Sequence, residues 1–124
     1  MRTTAQHAGD AAEALVASHL TALGWSVLGV RVRVGRAEVD LIAVDPSPPR
    51  ALVIVEVRWR RRRDFGLPEE TVDHRKRSRL HAAGFALVEA GHLPDGTRVP
   101  FLPLRFDLVV VEPSDRLRHY RHGL

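Results

Sequence analysis

Two apolar segments that carry carboxylates restrict the fold of this chain more than any other feature. The first, Arg36–Val44, contains Glu38 and Asp40, and the second, Leu52–Arg58, contains Glu56. The remaining residues of both segments are mostly β-branched or aliphatic, which predicts two strands in the middle of a sheet. Burying an unpaired carboxylate costs several kcal/mol or forces it to take up a proton. The negative charge of these carboxylates must therefore be compensated by a metal ion, by arginines or by exposure to water.

The composition fits one soluble domain covering residues 1–124, and 44% of the residues are hydrophobic. There is no cysteine, which excludes disulfides and zinc-thiolate sites and fits a reducing cytoplasm. The first residues lack the apolar core of a signal peptide, and no apolar run reaches the roughly 18 residues of a membrane span. We therefore expect a cytoplasmic protein with no membrane association.

The formal net charge of +4 favours a polyanionic partner, most simply nucleic acid. The alternative is a basic surface that only keeps the protein in solution. Of the 19 basic residues, Lys76 is the single lysine. Such a bias indicates that this chain uses arginine instead of lysine at positions where either cation would function.

Hydrophobic periodicity and turn residues predict two helices and up to five strands. The expected elements are a helix from about Thr4 to Leu23, strands at Trp25–Val34, Arg36–Asp45 and Ala51–Trp59, a helix from Pro68 to Glu89 or Ala90, a strand at Leu104–Glu112, and a short strand or helical turn near Leu117–Arg121. Short connections between the first three strands favour an antiparallel meander. In the first strand, Val30, Val32 and Val34 alternate with Arg31 and Arg33, which predicts one apolar and one basic face.

The carboxylates of the two central strands can converge. Residues two apart in a strand point to the same side, so Glu38 shares a face with Asp40, and Glu56 shares one with Arg58. If the strands are neighbours in register, three carboxylates and a guanidinium meet. Mg²⁺ and Mn²⁺ favour such oxygen-rich sites, where they activate water and offset phosphate charge. Glu13, close to the apolar stripe of the first helix, either joins this site or pairs with an arginine.

The spacing acid-x-Asp, fifteen residues, Glu-x-basic, preceded by a helical Glu, resembles the PD-(D/E)XK nuclease superfamily. More specifically, the chain resembles the YraN-like family of predicted bacterial endonucleases, which are related in fold to Holliday-junction resolvases. The resemblance rests on Gly9–Glu13, Gly24–Trp25, Arg33, Ala37–Ala43, Val55–Arg60, Phe65–Gly66, Lys76 with Leu80, Arg105–Val109 and His119–Tyr120. The segments Glu-x-Asp-Leu-Ile-Ala and Val-Glu-Val-basic are its most specific part.

This resemblance implies an α/β fold with a restriction-endonuclease-like αβββαβ core, a mixed central sheet flanked by helices. It implies that Asp40 and Glu56 ligate a divalent metal, Mg²⁺ or Mn²⁺, and that the carbonyl of Val57 adds a ligand. Glu13 and Glu38 are expected to support the site directly or through water. The implied partner is DNA, with branched and single-stranded forms as candidates. Resolvases cut two strands symmetrically as dimers, so a homodimer is also to be tested.

Two positions depart from the family pattern, which has lysine at Arg58 and glycine at Ala37. The lysine is expected to orient the attacking water and stabilise charge on the phosphate. Arginine can provide the charge but cannot act as a general base, because it keeps its proton in proteins. One explanation is the chain's general use of arginine; the other is a site that has lost catalysis and kept binding. The leading hypothesis is therefore an endonuclease with Arg58 in a catalytic role.

The alternatives are a nucleic-acid-binding or adaptor protein on the same fold, and a protein-interaction module. A basic run beside an aromatic residue is suited to hold a phosphate backbone and to stack on a base. The expected nucleic-acid contacts are Arg33, Trp59, Arg60, Arg61, Arg62, Arg63 and Lys76. Asp107 is expected to form a structural pair with an arginine.

Overall fold

The computed structural model describes residues 3–60 and 73–124, without the side chains of Thr4 and Ala5. The elements in these residues are α1 Thr4–Ala22, β1 Ser26–Val34, β2 Ala37–Asp45, β3 Ala51–Trp59, α2 His74–Ala90, β4 Leu104–Glu112 and β5 Arg116–Tyr120. A 3-10 turn at Pro113–Asp115 joins the last two strands. The expected αβββαβ order is confirmed, and the C-terminal segment adds a fifth strand.

The five strands form one mixed sheet in the order β1-β2-β3-β4-β5. The first three strands pair antiparallel, as the short connections predicted. β4 then lies parallel to β3, and β5 returns antiparallel to β4. A parallel neighbour requires a long crossover connection, and α2 lies within it. The arrangement is consistent with a restriction-endonuclease-like core.

Side-chain caps and glycines set the helix ends. Thr3 and Gln6 form a capping box at the start of α1, and Gly91, in the left-handed conformation with φ 76°, ends α2. The predicted start of the second helix, Pro68, lies outside the described residues, and within them Asp73 interrupts the predicted helix. Asp73 is extended and its carboxylate accepts a hydrogen bond from the Lys76 N–H, so α2 begins at His74. Among the described residues, neither helix combines the length and apolarity that a membrane crossing requires.

Each face of the sheet carries one helix and one apolar core. On one face α1 packs through Ala12, Val16 and Leu20 against a cluster that includes Leu41, Val53, Val55, Val109 and Val111. On the other face α2 packs through Leu80, Ala83 and Leu87 against a cluster that includes Val39, Ile42, Leu52, Ile54 and Phe106. Gly84 lets α2 come close, because a Cβ at that position would lie 2.9 Å from the Phe106 ring. Even-numbered residues of β3 therefore face α2 and odd-numbered ones face α1.

The first strand does not keep the predicted alternation. Its pairing with β2 shifts between Val27 and Gly29, and Arg31 has a positive φ of 49°. Val30 is 43% exposed, whereas Val32 and Val34 pack against the core on the α2 face. The prediction of one continuous apolar face on β1 is therefore wrong at Val30. The irregular backbone turns the Arg31 side chain towards α1.

A buried ionic cluster lies beside Trp25, and we call Asp45, Arg105, Asp107 and His119 the Asp107 cluster. The Arg105 guanidinium contacts both oxygens of Asp107 at 2.9 Å and reaches Asp45 Oδ2 at 2.9 Å. His119 Nε2 lies 2.7 Å from Asp107 Oδ2. Burial raises the pKa of Asp107, but its bonds to His119, Arg105 and the backbone N–H of His122 outweigh burial and hold the pKa below its ordinary value. The predicted structural pair of Asp107 with an arginine is confirmed.

Candidate active site

Two carboxylates meet where the backbone pairing between β2 and β3 ends. The paired residues run from Asp45 and Ala51 to Leu41 and Val55. Beyond them a side chain takes over, because Asp40 Oδ2 accepts a hydrogen bond of 2.8 Å from the Val57 N–H. This contact holds the Asp40 carboxyl group close to Glu56, which precedes Val57 in β3.

The Asp40 and Glu56 carboxyl groups are buried against each other's charge. Glu56 is 1% exposed, and neither of its side-chain oxygens accepts a hydrogen bond of ordinary geometry within the described structure. Burial raises the pKa of Asp40 to about 9, the adjacent Glu56 carboxylate adds to the rise, and the Val57 N–H opposes it. Without a further cation, Asp40 therefore holds a proton at neutral pH.

Two cations approach Glu56, one from a helix and one from its own strand. Lys76 Nζ lies 2.5 Å from Glu56 Oε2, and Arg58 Nε lies 3.9 Å from the same oxygen. The α2 helix brings Lys76 over the sheet face on which even-numbered β3 residues point. Lys76, which the sequence suggested only as a phosphate contact, is therefore the nearer partner of the buried carboxylate.

The two supporting acids predicted for the site lie further out. Glu13 is buried on α1, where Arg31 Nη1 comes within 3.6 Å of its Oε2 while also pairing with Asp10. Its charge adds to the rise in the Asp40 pKa, so it is near without being adjacent. Glu38 is exposed, and its backbone lies opposite Arg33 in the pairing of β1 with β2. Glu13 and Glu38 nevertheless line one surface pocket, and Glu38 and Asp40 line another.

The positions of the acidic side chains limit how many of them could bind one metal ion. In residues 3–60 and 73–124, no three His, Asp or Glu side chains group closely enough to hold a metal ion. Mg²⁺, however, often keeps several waters and uses only one or two protein carboxylates together with substrate phosphates. Two adjacent carboxyl groups, those of Asp40 and Glu56, fit such a site. The observed contact of Val57 with the pair is through its N–H.

A groove lined by cations opens from this pair towards the turn between β1 and β2. Four cationic side chains line it together with Glu38 and Asp40, and its volume is about 350 Å³. We call it the cationic groove; its cations are Arg33, Arg36, Lys76 and Arg79. Since Asp40 forms one wall, an anion in the groove would lie directly beside the carboxylate pair.

Comparison with known proteins identifies the family. Residues 12–111 match the model of the uncharacterised protein family UPF0102. The chain belongs to the UPF0102 family. A UPF0102 protein of Symbiobacterium thermophilum is 40% identical over 107 residues, which cover 86% of this chain and 82% of that protein. A UPF0102 protein of Pseudomonas aeruginosa is 37% identical, covering 92% and 85% of the two chains, and one of Dehalococcoides mccartyi is 31% identical, covering 94% and 91%.

Trp59 of the UPF0102 chain lies away from the carboxylate pair. It is 43% exposed and lines a surface depression with α1 residues that include Ala11 and Leu15. Because side chains alternate along β3, Trp59 points to the α1 face while Glu56 and Arg58 point to the α2 face. Arg60 continues the strand through a 2.8 Å hydrogen bond from its N–H to the Val111 carbonyl. The predicted contacts at Arg61, Arg62 and Arg63 lie outside the described residues.

Sequence reasoning missed two cations of this UPF0102 groove. Arg79 follows Lys76 by three residues, a spacing that places both on one helix face and could have revealed it. Arg36 lies beside the turn at Gly35, and its position in the groove depends on how α2 packs over β2. The third missed arginine, Arg31, reaches Asp10 and Glu13 from a left-handed backbone conformation that the sequence does not indicate.

Proposed function

We propose that this UPF0102 protein is a divalent-metal-dependent endonuclease that hydrolyses phosphodiester bonds of DNA. The observation that carries the proposal is the buried Asp40–Glu56 pair, in which burial and the neighbouring carboxylate raise the pKa of Asp40 to about 9. Strongly perturbed carboxyl groups beside an open groove are typical of sites built for chemistry. The four cations of the groove give the phosphate backbone a place to bind next to this pair.

Each residue has a role that follows from its position. Asp40 and Glu56 would hold the metal ion, and the Val57 N–H fixes the orientation of the Asp40 carboxylate. A bound Mg²⁺ or Mn²⁺ would supply an activated water and offset charge on the phosphate. Arg58, on the same face as Glu56, can neutralise charge that develops on the phosphate oxygens. Burial of the pair strengthens each of these electrostatic interactions.

The cationic groove determines how DNA would approach. A backbone that lies along Arg33, Arg36 and Arg79 would bring one phosphate beside Asp40. Single-stranded, flapped and four-way junction DNA all present an accessible phosphate to such a groove, and a dimer would present two grooves to one junction. We therefore propose branched DNA as the first substrate class to test.

Cleavage of defined DNA substrates tests the proposal. The metal-free chain is incubated with labelled single-stranded, duplex, flapped and junction DNA, with Mg²⁺ or Mn²⁺ added or withheld. We expect metal-dependent cleavage that falls by about 10²–10³-fold in Asp40→Asn and Glu56→Gln, because each substitution removes a carboxylate that would hold the metal. Asp95→Asn, purified in the same way, is the control, since Asp95 lies in an exposed turn and bonds to the Thr97 N–H. Equal cleavage by all four proteins would identify a contaminating nuclease and reject the proposal.

A second function, DNA binding without cleavage, is favoured by one observation. The basic residue beside Glu56 on the same strand is Arg58, and a guanidinium cannot accept a proton from water. This function predicts that DNA binding persists in Asp40→Asn and that wild type cuts none of the substrates. Cleavage that appears only in Arg58→Lys would select the binding function for the natural protein, whereas cleavage by wild type would reject it.

A further inference from the structure

The single lysine of the chain lies at the buried carboxylate pair. Arginine occupies the other 18 of the 19 basic positions, yet the cation closest to Glu56 is Lys76, with Nζ 2.5 Å from Oε2. An ammonium is a compact point charge, whereas a guanidinium is wide and planar. The space above Glu56 is already approached by Arg58 at 3.9 Å, so a second guanidinium would be crowded there. The structure thus gives a physical reason for a lysine at this position.

Lys76 and a metal ion would compete for the same oxygen. Mg²⁺ binds carboxylate oxygens at about 2.0–2.1 Å, so an ion on Glu56 Oε2 would lie within about 5 Å of an ammonium that stays in place. The site is nearly dry, because Glu56 is 1% exposed, and repulsion between cations is weakly screened there. The two cations cannot both occupy the site at low energy.

The lysine has another place to go. Its side chain is 40% exposed and already lines the cationic groove, in which Arg33, Arg36 and Arg79 surround space for an anion. Four rotatable bonds allow the ammonium to leave Glu56 and enter this groove without movement of α2. There it would contact a phosphate instead of a carboxylate.

We propose that Lys76 is a positioning residue that acts as the counter-ion of Glu56 until a divalent metal displaces it into the cationic groove, where it binds the nucleic-acid phosphate backbone. The proposal rests on the metal site of the proposed function. It assigns to one side chain two successive partners, so that metal binding and phosphate binding assist each other. Without metal the acid is neutralised by the protein itself, and with metal the released cation strengthens the groove.

Metal affinity without DNA gives the first test. Mn²⁺ binding to the metal-free chain is measured by calorimetry for wild type, Lys76→Met, Lys76→Arg and Arg50→Met. We expect Lys76→Met to bind Mn²⁺ about tenfold more tightly or better, because the competing cation is gone. Lys76→Arg keeps the charge and is expected to bind no more tightly than wild type. Arg50→Met removes an exposed cation from the loop between β2 and β3 and is expected to match wild type.

The outcomes separate this inference from the proposed function. Equal or weaker Mn²⁺ binding by Lys76→Met, with normal binding by wild type, overturns the role of Lys76 and leaves the metal site intact. Absence of Mn²⁺ binding to all variants rejects the metal site, and this inference with it. Lys76→Gln keeps a polar side chain and replaces Lys76→Met in the same comparison if the methionine variant does not fold.

DNA affinity gives the second test, with Ca²⁺ as a metal that supports binding and slows cleavage. We expect Lys76→Met to weaken binding of a single-stranded oligonucleotide about 3–10-fold in Ca²⁺ and less than about twofold in chelator, because Lys76 contacts phosphate only after metal binds. Arg79→Met is expected to weaken binding by the same factor in both conditions. An equal effect of Lys76→Met with and without Ca²⁺ would show that the lysine does not change partners.

Discussion

The Asp107 cluster and the Asp40–Glu56 pair are two solutions to the burial of carboxylates in one sheet. Asp107 and Asp45 share the Arg105 guanidinium, and Asp107 also has His119 and the His122 N–H, so its pKa stays below the ordinary value. Asp40 has one backbone donor and a neighbouring carboxylate, and its pKa rises to about 9. In the Asp107 cluster the charges neutralise one another and connect strands β2, β4 and β5. The Asp40–Glu56 pair keeps its carboxylates available to an added cation.

The largest expected effect is on the stability of the Asp107 cluster. Arg105→Met leaves Asp45 and Asp107 buried without their main partner, and such a loss destabilises by about 3–5 kcal/mol. Urea unfolding of wild type and variant measures the difference. Arg121→Met is the matched control, because Arg121 is 54% exposed and reaches Asp45 only at 3.8 Å, so its loss should cost less than about 1 kcal/mol. Equal losses in the two variants would mean that Arg105 is not the centre of the cluster.

A smaller effect of opposite sign is expected when Mn²⁺ is added. A ligand that binds only the folded state at about 100 times its Kd raises the free energy of unfolding by about 2.7 kcal/mol. Thermal unfolding of the metal-free chain with and without Mn²⁺ should show this gain in wild type and lose it in Glu56→Gln. His119→Gln, in the Asp107 cluster, should retain the gain. A gain that survives in Glu56→Gln but not in His119→Gln would move the metal site to the other cluster.

The last expected effect is on the pH dependence of stability and concerns protonation of Asp40. The folded chain keeps a proton on Asp40 up to about pH 9, whereas the unfolded chain releases it near pH 3.8, so the free energy of unfolding falls as the pH rises between these values. Asp40→Asn retains the acceptor for the Val57 N–H and removes this fall. We expect the metal-free variant to be more stable than wild type at pH 8, with a difference that shrinks towards pH 4. Urea unfolding at several pH values measures it, and a constant difference would contradict a raised pKa.

Local sequence patterns predicted most of the fold. Runs of β-branched and aliphatic residues located β2 and β3, and hydrophobic periodicity located α1. The break at Asp73 was not predicted, although an aspartate that caps the N–H three residues later is a common helix start. The break in β1 was not predictable, since a positive φ at Arg31 depends on surrounding packing.

The candidate site was only partly accessible to the same reasoning. Strand periodicity was enough to put Glu56 and Arg58 on one face, and the same rule, applied to Trp59, would have separated it from them. The ion pair between Lys76 and Glu56 depends on how a helix crosses the sheet, which no local pattern specifies. The position of Glu13 likewise depends on the rotation of α1 about its axis. Tertiary packing, and not residue type, decided which acids became neighbours.

The close approach of α2 at Gly84 has a mechanical consequence for the site. Lys76 lies eight residues away along the helix, a distance of about 12 Å at 1.5 Å per residue. If α2 tilts as a rigid body by about 5° around Gly84, the backbone at Lys76 moves by about 1 Å. Glycine at position 84 contacts neither carboxylate. Its close packing against Phe106 nevertheless sets the orientation of α2, and with it the distance from the Lys76 ammonium to Glu56.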